Sequence, residues 1–246
     1  MTEQNDQVIR VAQIGVGYWG PNLLRNLMVN PQLIVKAVAD LEEDRRVFVK
    51  TNYPTVTVER DPEAIIEDPD VDAVVIATPV STHYDLAMRC VESGKHVLVE
   101  KPMATSLPDG IEIREAARKA GVDVMVGFCT RYAEGRRTMK TLIERGIVGD
   151  IVHVNAAKGG APLQSWRADP EKGGGQLFWL GSHITDQILW MLGSEAERVY
   201  GEILWHPETG ADQNSAYTIR FKDGVIANVL CSQNIGGGVD FIDISQ

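Results

Sequence analysis

Cysteine is scarce in this 246-residue chain, which contains Cys90, Cys129 and Cys231 and no others. An odd number of cysteines without C-x-x-C spacing favours reduced thiols over a disulfide framework. The five histidines and the cysteines also lack the spacing of metal ligands, so we expect no metal site.

Positively charged residues are in the minority. The chain contains 24 Lys and Arg residues and 34 Asp and Glu residues, which gives a net charge of −10. The sequence has no cluster of basic residues. A nucleic-acid-binding surface normally requires such a cluster, so we expect no nucleic-acid partner.

Long apolar runs are missing as well, and none reaches the length that spans a membrane. The first seven residues, MTEQNDQ, are polar and acidic, which is not typical of a secretory signal. These features predict a cytoplasmic protein without a membrane partner.

The most informative feature that is present is the segment QIGVGYWG, in which Gly15, Gly17 and Gly20 form a G-x-G-x-x-G pattern after the apolar run 8–14. In a dinucleotide-binding turn, the first glycine permits the tight turn and the second lets the pyrophosphate approach the backbone. The third lets the next helix pack on the strand. We therefore predict a dinucleotide site that also includes Tyr18 and Trp19.

An acidic residue at the expected distance supports this prediction. Asp40 ends a second apolar run, 33–39, twenty residues after Gly20. Its carboxylate would accept hydrogen bonds from the adenosine ribose hydroxyls and would repel a 2′-phosphate, so NAD is favoured over NADP. Arg45 and Arg46 are the only argument for NADP, and they also suit a solvated helix face.

The order of predicted elements indicates an α/β protein. Strand-like and helix-like segments alternate up to residue 127, which predicts a Rossmann domain with a doubly wound parallel sheet over 1–127. Four later runs read as antiparallel strands, two of them joined by a turn at 222–224. We therefore predict an α+β domain over 128–246 with a mostly antiparallel, open sheet, and Gly236–Gly238 as a turn within it.

A candidate catalytic residue follows the predicted strand 96–99, which continues into Glu100, Lys101 and Pro102. Ligands of open α/β sheets bind beyond the carboxyl ends of the strands, where a lysine can donate to a substrate hydroxyl or carbonyl. The alternative is an ordinary solvated loop lysine.

Several motifs together resemble the glucose–fructose oxidoreductase, inositol dehydrogenase and MocA family over essentially the whole chain. They are GVGYWG, ATP with His83, EKP, GFCTRY, GGG and GSHITD, in that order. The resemblance implies hydride transfer between NAD(P) and a carbinol carbon of a sugar, polyol or nucleotide sugar. It also implies a C-terminal sheet that forms a homo-oligomer interface.

The resemblance implies roles for particular residues. Lys101 would bind the reacting oxygen, and His183 would be the general acid or base. Thr78, Pro79, His83 and Glu100 would border the cofactor. Arg131 and Tyr132 would contact substrate. Beside what the resemblance implies, Trp166, Trp179 and Asp186 are further candidate substrate residues.

The chain departs from the family pattern at two points. Trp179 stands where members with a Lys-Asp-His set carry aspartate, four residues before His183. Trp179 could form a wall for a sugar ring or belong to the core, and Asp186 could orient His183. The chain is also shorter than its relatives, so we expect the second domain to be incomplete at its C-terminus.

A second functional class stays open at this point. The tryptophan at position 179 and the short C-terminus also suit a protein that senses NAD or a sugar without catalysis, or an inactive truncated homologue. Turnover with NAD and a panel of sugars distinguishes these alternatives from the enzyme.

Overall fold

The computed structural model describes residues 8–235 and 238–245, and the chain divides into two compact units, one up to Gly127 and one from Phe128. The N-terminal MTEQNDQ segment and part of the predicted Gly236–Gly238 turn lie outside the described residues. Each unit has its own buried apolar core.

The first unit is built on a six-stranded parallel sheet in the order β3-β2-β1-β4-β5-β6. This confirms the predicted doubly wound sheet. Its elements are β1 (Ile9–Ile14), α1 (Gly20–Val29), β2 (Leu33–Ala39), α2 (Glu43–Asn52), β3 (Thr57–Glu59), α3 (Glu63–Ile66), β4 (Ala73–Ile76), α4 (His83–Glu92), β5 (His96–Val99), α5 (Leu107–Ala120) and β6 (Val124–Val126).

Local sequence explains most of these elements. The central strands β1 and β4 both end in a continuous run of buried residues, as expected for apolar runs in a parallel sheet covered on both faces. Ser106 caps α5 by accepting from the Asp109 N–H, and Gly121 ends that helix with a left-handed φ of 72°. Strand β3 was not predicted, because its three residues are too few to show a periodic pattern.

The second unit contains a five-stranded mixed sheet in the order β11-β7-β10-β9-β8. The neighbours β7 and β10 run parallel and the other pairs antiparallel, so the predicted mostly antiparallel sheet is confirmed. Its elements are α6 (Glu134–Glu144), β7 (His153–Gly159), α7 (Ser182–Leu192), β8 (Ala196–Trp205), β9 (Asp212–Phe221), β10 (Ile226–Ser232) and β11 (Val239–Ser245).

The helical segment before β8 has two parts. Residues Leu177–Gly181 form a π-helical turn, which leads directly into α7. Two short 3₁₀ turns, Ser165–Ala168 and Pro170–Lys172, precede the glycine run. The sequence pattern did not reveal the π turn, because five residues do not distinguish that helix type from an α-helix.

The two faces of the second sheet differ in their surroundings. Ile184, Ile188 and Met191 of α7 pack in one core cluster with Ala227 and Val229 of β10. The opposite face includes exposed residues such as Leu230 and Phe241. Within the described part of the chain, every helix is too short or too polar to cross a bilayer.

Candidate active site

The glycine turn of the first unit has the shape that the sequence predicted. Gly15 adopts a φ of +93°, and a Cβ at this position would lie 2.6 Å from the Ala77 carbonyl oxygen. A Cβ on Gly20 would lie 2.6 Å from the carbonyl oxygen of Gly15. Both positions therefore require glycine. Gly15 requires it for its backbone conformation and its close neighbours, and Gly20 requires it for close packing.

Gly17 differs from these two residues, because a Cβ there would meet nothing within 4 Å. Its surroundings are open, and it lies between β1 and the N-terminus of α1. Backbone N–H groups at a helix N-terminus attract phosphate. The turn thus fits a pyrophosphate at Gly17, while the neighbouring Tyr18 and Trp19 are 64% and 43% exposed.

A buried glutamine supports the turn, although sequence reasoning did not identify it. Gln13 is fully buried, and its Nε2 donates to the carbonyl oxygens of Gly15 and Gly20 at 2.8 and 2.9 Å. A polar residue inside the apolar strand β1, directly before the glycines, was the available signal.

Asp40 lies at the end of β2 and contacts the same turn. Its Oδ2 accepts from the Val16 N–H at 2.7 Å, and its Oδ1 accepts from the Glu42 N–H at 2.9 Å. Arg46 Nη1 donates to the carbonyl oxygens of Asp40 and Leu41 at 2.8 and 2.7 Å. The carboxylate that would bind ribose is therefore fixed in place by backbone donors.

Candidate residues also follow the adjacent strands β4 and β5. Thr78 and Pro79 follow β4, while Glu100 and Lys101 follow β5. These strands are direct neighbours in the parallel sheet, and β1 lies on the other side of β4. The glycine turn, Thr78 and Lys101 therefore share the carboxyl edge of one sheet, which is the ligand-binding edge of open α/β folds.

The Glu100 side chain is largely enclosed. Its Oε2 accepts from the Lys101 N–H at 3.2 Å, and its carboxylate lies 3.1–3.3 Å from where a Cβ on Gly127 would be. Burial raises the pKa of Glu100 above its ordinary value, against the lowering effect of Lys101. The Lys101–Pro102 peptide bond is cis.

His83 lies inside the first unit, with 1% of its surface exposed. Its Nδ1 lies 2.9 Å from the Pro102 carbonyl oxygen, and its Nε2 lies 2.9 Å from the Thr78 carbonyl oxygen. The ring touches backbone groups of the loops after β4 and β5, and its burial leaves almost no surface for the cofactor contact that the sequence predicted.

In the second unit, His183 is the second residue of α7 and is 9% exposed. The Phe128 ring packs edge-on against its imidazole, with 6.3 Å between ring centroids. Three residues later in the chain, Asp186 is also buried. Its Oδ2 accepts from Arg131 Nε at 2.8 Å, and its Oδ1 accepts from Arg131 Nη2.

Arg131 is a central member of this group. Its guanidinium carbon lies 5.7 Å from the Phe128 ring centroid and 6.0 Å from that of Trp190. The Asp186 carboxylate raises the pKa of Arg131, so the guanidinium stays charged. The bidentate pair joins the predicted substrate residues Arg131 and Asp186 into one charged unit close to Phe128. Tyr132 is 62% exposed.

Trp179 lies in the π-helical turn and belongs to an aromatic cluster. Its ring packs edge-on against Trp166 with 6.2 Å between centroids, and the Arg167 guanidinium carbon lies 5.0 Å from the Trp179 centroid. Both tryptophans are half-buried. Such a cluster offers aromatic surface and a cation to a sugar ring, and π-helical turns occur frequently at functional sites.

Asp212 was not predicted from sequence, yet it holds the start of this helical segment. Its Oδ2 accepts from the Leu177 N–H at 2.7 Å, and a Cβ on Gly175 would lie 2.1 Å from its Oδ1. Burial raises the pKa of Asp212, although hydrogen bonds from backbone N–H groups act to lower it.

Within residues 8–235 and 238–245, no group of His, Cys, Asp and Glu side chains could hold a metal ion.

Comparisons with known proteins add independent information. Residues 9–128 match an oxidoreductase family with an NAD-binding Rossmann fold, and residues 136–244 match the GFO/IDH/MocA C-terminal domain. The chain is 30% identical over 240 residues to the myo-inositol 2-dehydrogenase of Thermotoga maritima, covering 94% of this chain and 71% of that protein.

Two further known proteins align with this chain over a comparable share of its length. The NAD(+)-dependent scyllo-inositol 2-dehydrogenase of Bacillus subtilis is 30% identical over 240 residues, covering 94% of this chain and 69% of that protein. The crystal structure of GenD2 from gentamicin A biosynthesis, in complex with NAD, is 26% identical with a TM-score of 0.91. That alignment covers 97% of this chain and 70% of the GenD2 chain.

Proposed function

Because the chain belongs to the GFO/IDH/MocA oxidoreductase family, we propose that it transfers hydride between NAD and a carbinol carbon of a polyol or sugar ring. NAD binding through a Rossmann fold and oxidoreductase chemistry are properties of the family. The observation that carries the proposal is the position of Lys101, at the same sheet edge as the open glycine turn.

The first unit supplies the groups that would hold the cofactor. Gly17 leaves room for the pyrophosphate, and Asp40 presents its fixed carboxylate to the adenosine ribose. Thr78, Pro79 and Glu100 would border the nicotinamide half. When bound, NAD supplies the hydride acceptor or donor.

Lys101 would donate a hydrogen bond to the reacting oxygen. An ammonium group in this position stabilises negative charge that develops on that oxygen when its proton leaves, and it holds the carbinol carbon in place. His183 would accept or donate the proton, since an imidazole exchanges protons near neutral pH.

The substrate class follows from the aromatic cluster and from the relatives. Trp166 and Trp179 would form a wall for the apolar face of a ring, and the Arg131–Asp186 pair, with Tyr132, would bind hydroxyl groups. Two of the relatives are named as inositol dehydrogenases, which supports a cyclic polyol or sugar as substrate.

Turnover with defined substrates tests this proposal. The purified chain is mixed with NAD and, separately, with myo-inositol, scyllo-inositol and a panel of sugars, and absorbance of reduced nicotinamide is followed. We expect reduction of NAD with at least one cyclic polyol or sugar. NAD binding without turnover on any substrate, also after Trp179→Asp, would favour the alternative of a non-catalytic sensor.

Asp40 should determine the choice between NAD and NADP. Asp40→Ser removes the negative charge and the ribose contacts, so we expect NAD affinity to fall about 10- to 100-fold, since hydrogen bonds to charged groups contribute about 1.5–3 kcal/mol. NADP affinity should rise. Calorimetric titration with both cofactors measures the change.

Asp40→Asn is the matched control for that change. It keeps an acceptor for the Val16 or Glu42 N–H but removes the charge. It should therefore improve NADP binding with less disturbance of the turn. Equal NAD and NADP affinities in the unaltered chain would contradict the assigned role of Asp40.

We further propose that the open face of the second sheet joins two copies of the chain. Phe241, Ala157, Leu230 and Ala216 lie in direct register across β11, β7, β10 and β9, which creates an apolar row across the sheet. Phe241 and Leu230 are 48% and 43% exposed. An apolar row of this kind is typical of a surface that packs against another protein.

A cytoplasmic location stays a prediction from the sequence.

Charge on this row should separate the copies. In Leu230→Lys, a second copy would have to bury an unpaired ammonium group, which is unfavourable. We expect sedimentation velocity to show a lower oligomeric state than in the unaltered chain, whereas Lys119→Glu, on the exposed surface of α5, should leave it unchanged. A monomeric unaltered chain would contradict the proposal.

A further inference from the structure

His83 connects the two loops that carry the candidate residues of the first unit. It is the first residue of α4, and its ring lies between the Thr78 carbonyl oxygen and the Pro102 carbonyl oxygen, at 2.9 Å from each. Thr78 follows β4, and Pro102 directly follows Lys101 beyond β5. One side chain therefore spans the distance between two adjacent strand ends.

The two contacts of the His83 ring place a requirement on its protonation. A carbonyl oxygen only accepts hydrogen bonds, whereas a neutral imidazole has a single N–H group to donate. Both contacts are satisfied together only when the ring carries two N–H groups. Burial lowers the pKa of His83, and the charge of Lys101 acts in the same direction, while the two carbonyl groups raise it.

Its burial also limits how His83 can act. With 1% of its surface exposed, the ring offers no surface to a cofactor or substrate. Any effect of this residue on the reaction must therefore pass through the backbone groups that it touches. Lys101 is adjacent in sequence to one of them.

We propose that His83 is a positioning residue, which sets the separation between the loops after β4 and β5 and thereby the placement of the Lys101 ammonium group. The proposal rests on the function proposed above for Lys101. Displacing a reacting group by about 1 Å can lower a rate about 100-fold, so a support outside the direct contacts has a measurable effect.

Two substitutions of His83 test this role. His83→Phe keeps a ring but removes both nitrogens, and we expect kcat to fall about 10- to 100-fold. His83→Gln retains an amide that can donate to one carbonyl oxygen, and it should recover part of the loss. Because Thr78 also borders the cofactor site, the Kd of NAD is measured for each variant and should change less than kcat.

Val91→Ala is the matched control. Val91 is fully buried near the opposite end of the same helix and packs in the apolar core of the first unit. It should lower the thermal unfolding temperature without lowering kcat. An equal loss of kcat in Val91→Ala and His83→Phe would mean that His83 acts only through stability, and would overturn the proposal.

A second measurement does not depend on turnover. Lysines are reductively methylated with ¹³C, and the NMR signal of Lys101 is assigned by its absence in Lys101→Met. This signal should shift in His83→Phe and stay in place in Val91→Ala. An unshifted signal together with full kcat in both His83 variants would overturn the positioning role.

Failure of the underlying function has a different signature. If Lys101→Met retains full turnover, the role proposed for Lys101 fails, whatever the result at His83. If Lys101→Met loses turnover but His83→Phe keeps it, only the positioning role fails. When both roles hold, the two substitutions are non-additive, because a misplaced lysine matters only while the lysine is present.

Discussion

Lys101→Met should lower kcat by a factor of about 10² to 10⁴, the range typical of losing a group that acts on the reacting proton or oxygen. Methionine has nearly the length of lysine but no ammonium group, so the reacting oxygen loses its donor. Steady-state kinetics with the best substrate from the polyol panel measures the change. The Kd of NAD should change by less than about threefold, because Lys101 acts mainly on the substrate.

The control for Lys101→Met is another lysine of the same unit. Lys119 is exposed near the end of α5, and Lys119→Met removes the same charge far along the chain from the strand ends. It should leave kcat and the Kd of NAD unchanged. Full turnover of folded Lys101→Met would remove Lys101 from the mechanism.

The first unit could be predicted from sequence because its determinants are local. Gly15 has a positive φ within the turn itself, Gly20 packs against Gly15 and Gln13 a few residues earlier, and Asp40 follows its own strand directly. The parallel arrangement then places Lys101 at the same edge by a general rule of the fold. Strand β3, with three residues, escaped this type of reasoning.

The supports of the site could not be predicted, because they join residues that are distant in sequence. His83 touches Pro102 nineteen residues later, and Asp186 pairs with Arg131 across 55 positions. Neither periodicity nor spacing encodes such pairs. The resemblance drew attention to these residues, but the distances show what each side chain touches.

The glycine run before the π-helical turn provides the other large effect. Gly175 has a φ of +133°, and a Cβ there would lie 2.1 Å from Asp212 Oδ1. Gly175→Ala should therefore displace the Asp212 carboxylate from the Leu177 N–H. The free energy of unfolding of the second unit should fall by about 3 kcal/mol, about 1 for the strained φ and about 2 for the lost charged hydrogen bond.

Gly193→Ala is the matched control, because Gly193 also has a positive φ, +66°, but a Cβ there would meet nothing within 4 Å. It should cost only the backbone contribution, about 1 kcal/mol. Denaturant unfolding followed by tryptophan fluorescence suits the comparison, since Trp166, Trp179, Trp190 and Trp205 all belong to the second unit.

A double-mutant cycle assigns the difference to its cause. Asp212→Ala alone should destabilise the second unit, because the half-buried Leu177 N–H loses its acceptor. In that background Gly175→Ala has no carboxylate to displace, so its cost should fall to that of Gly193→Ala. If Gly175→Ala costs the same in both backgrounds, the glycine is required for its backbone conformation alone. Gly175 and Asp212 would then be independent determinants of the helical segment that carries Trp179 and His183.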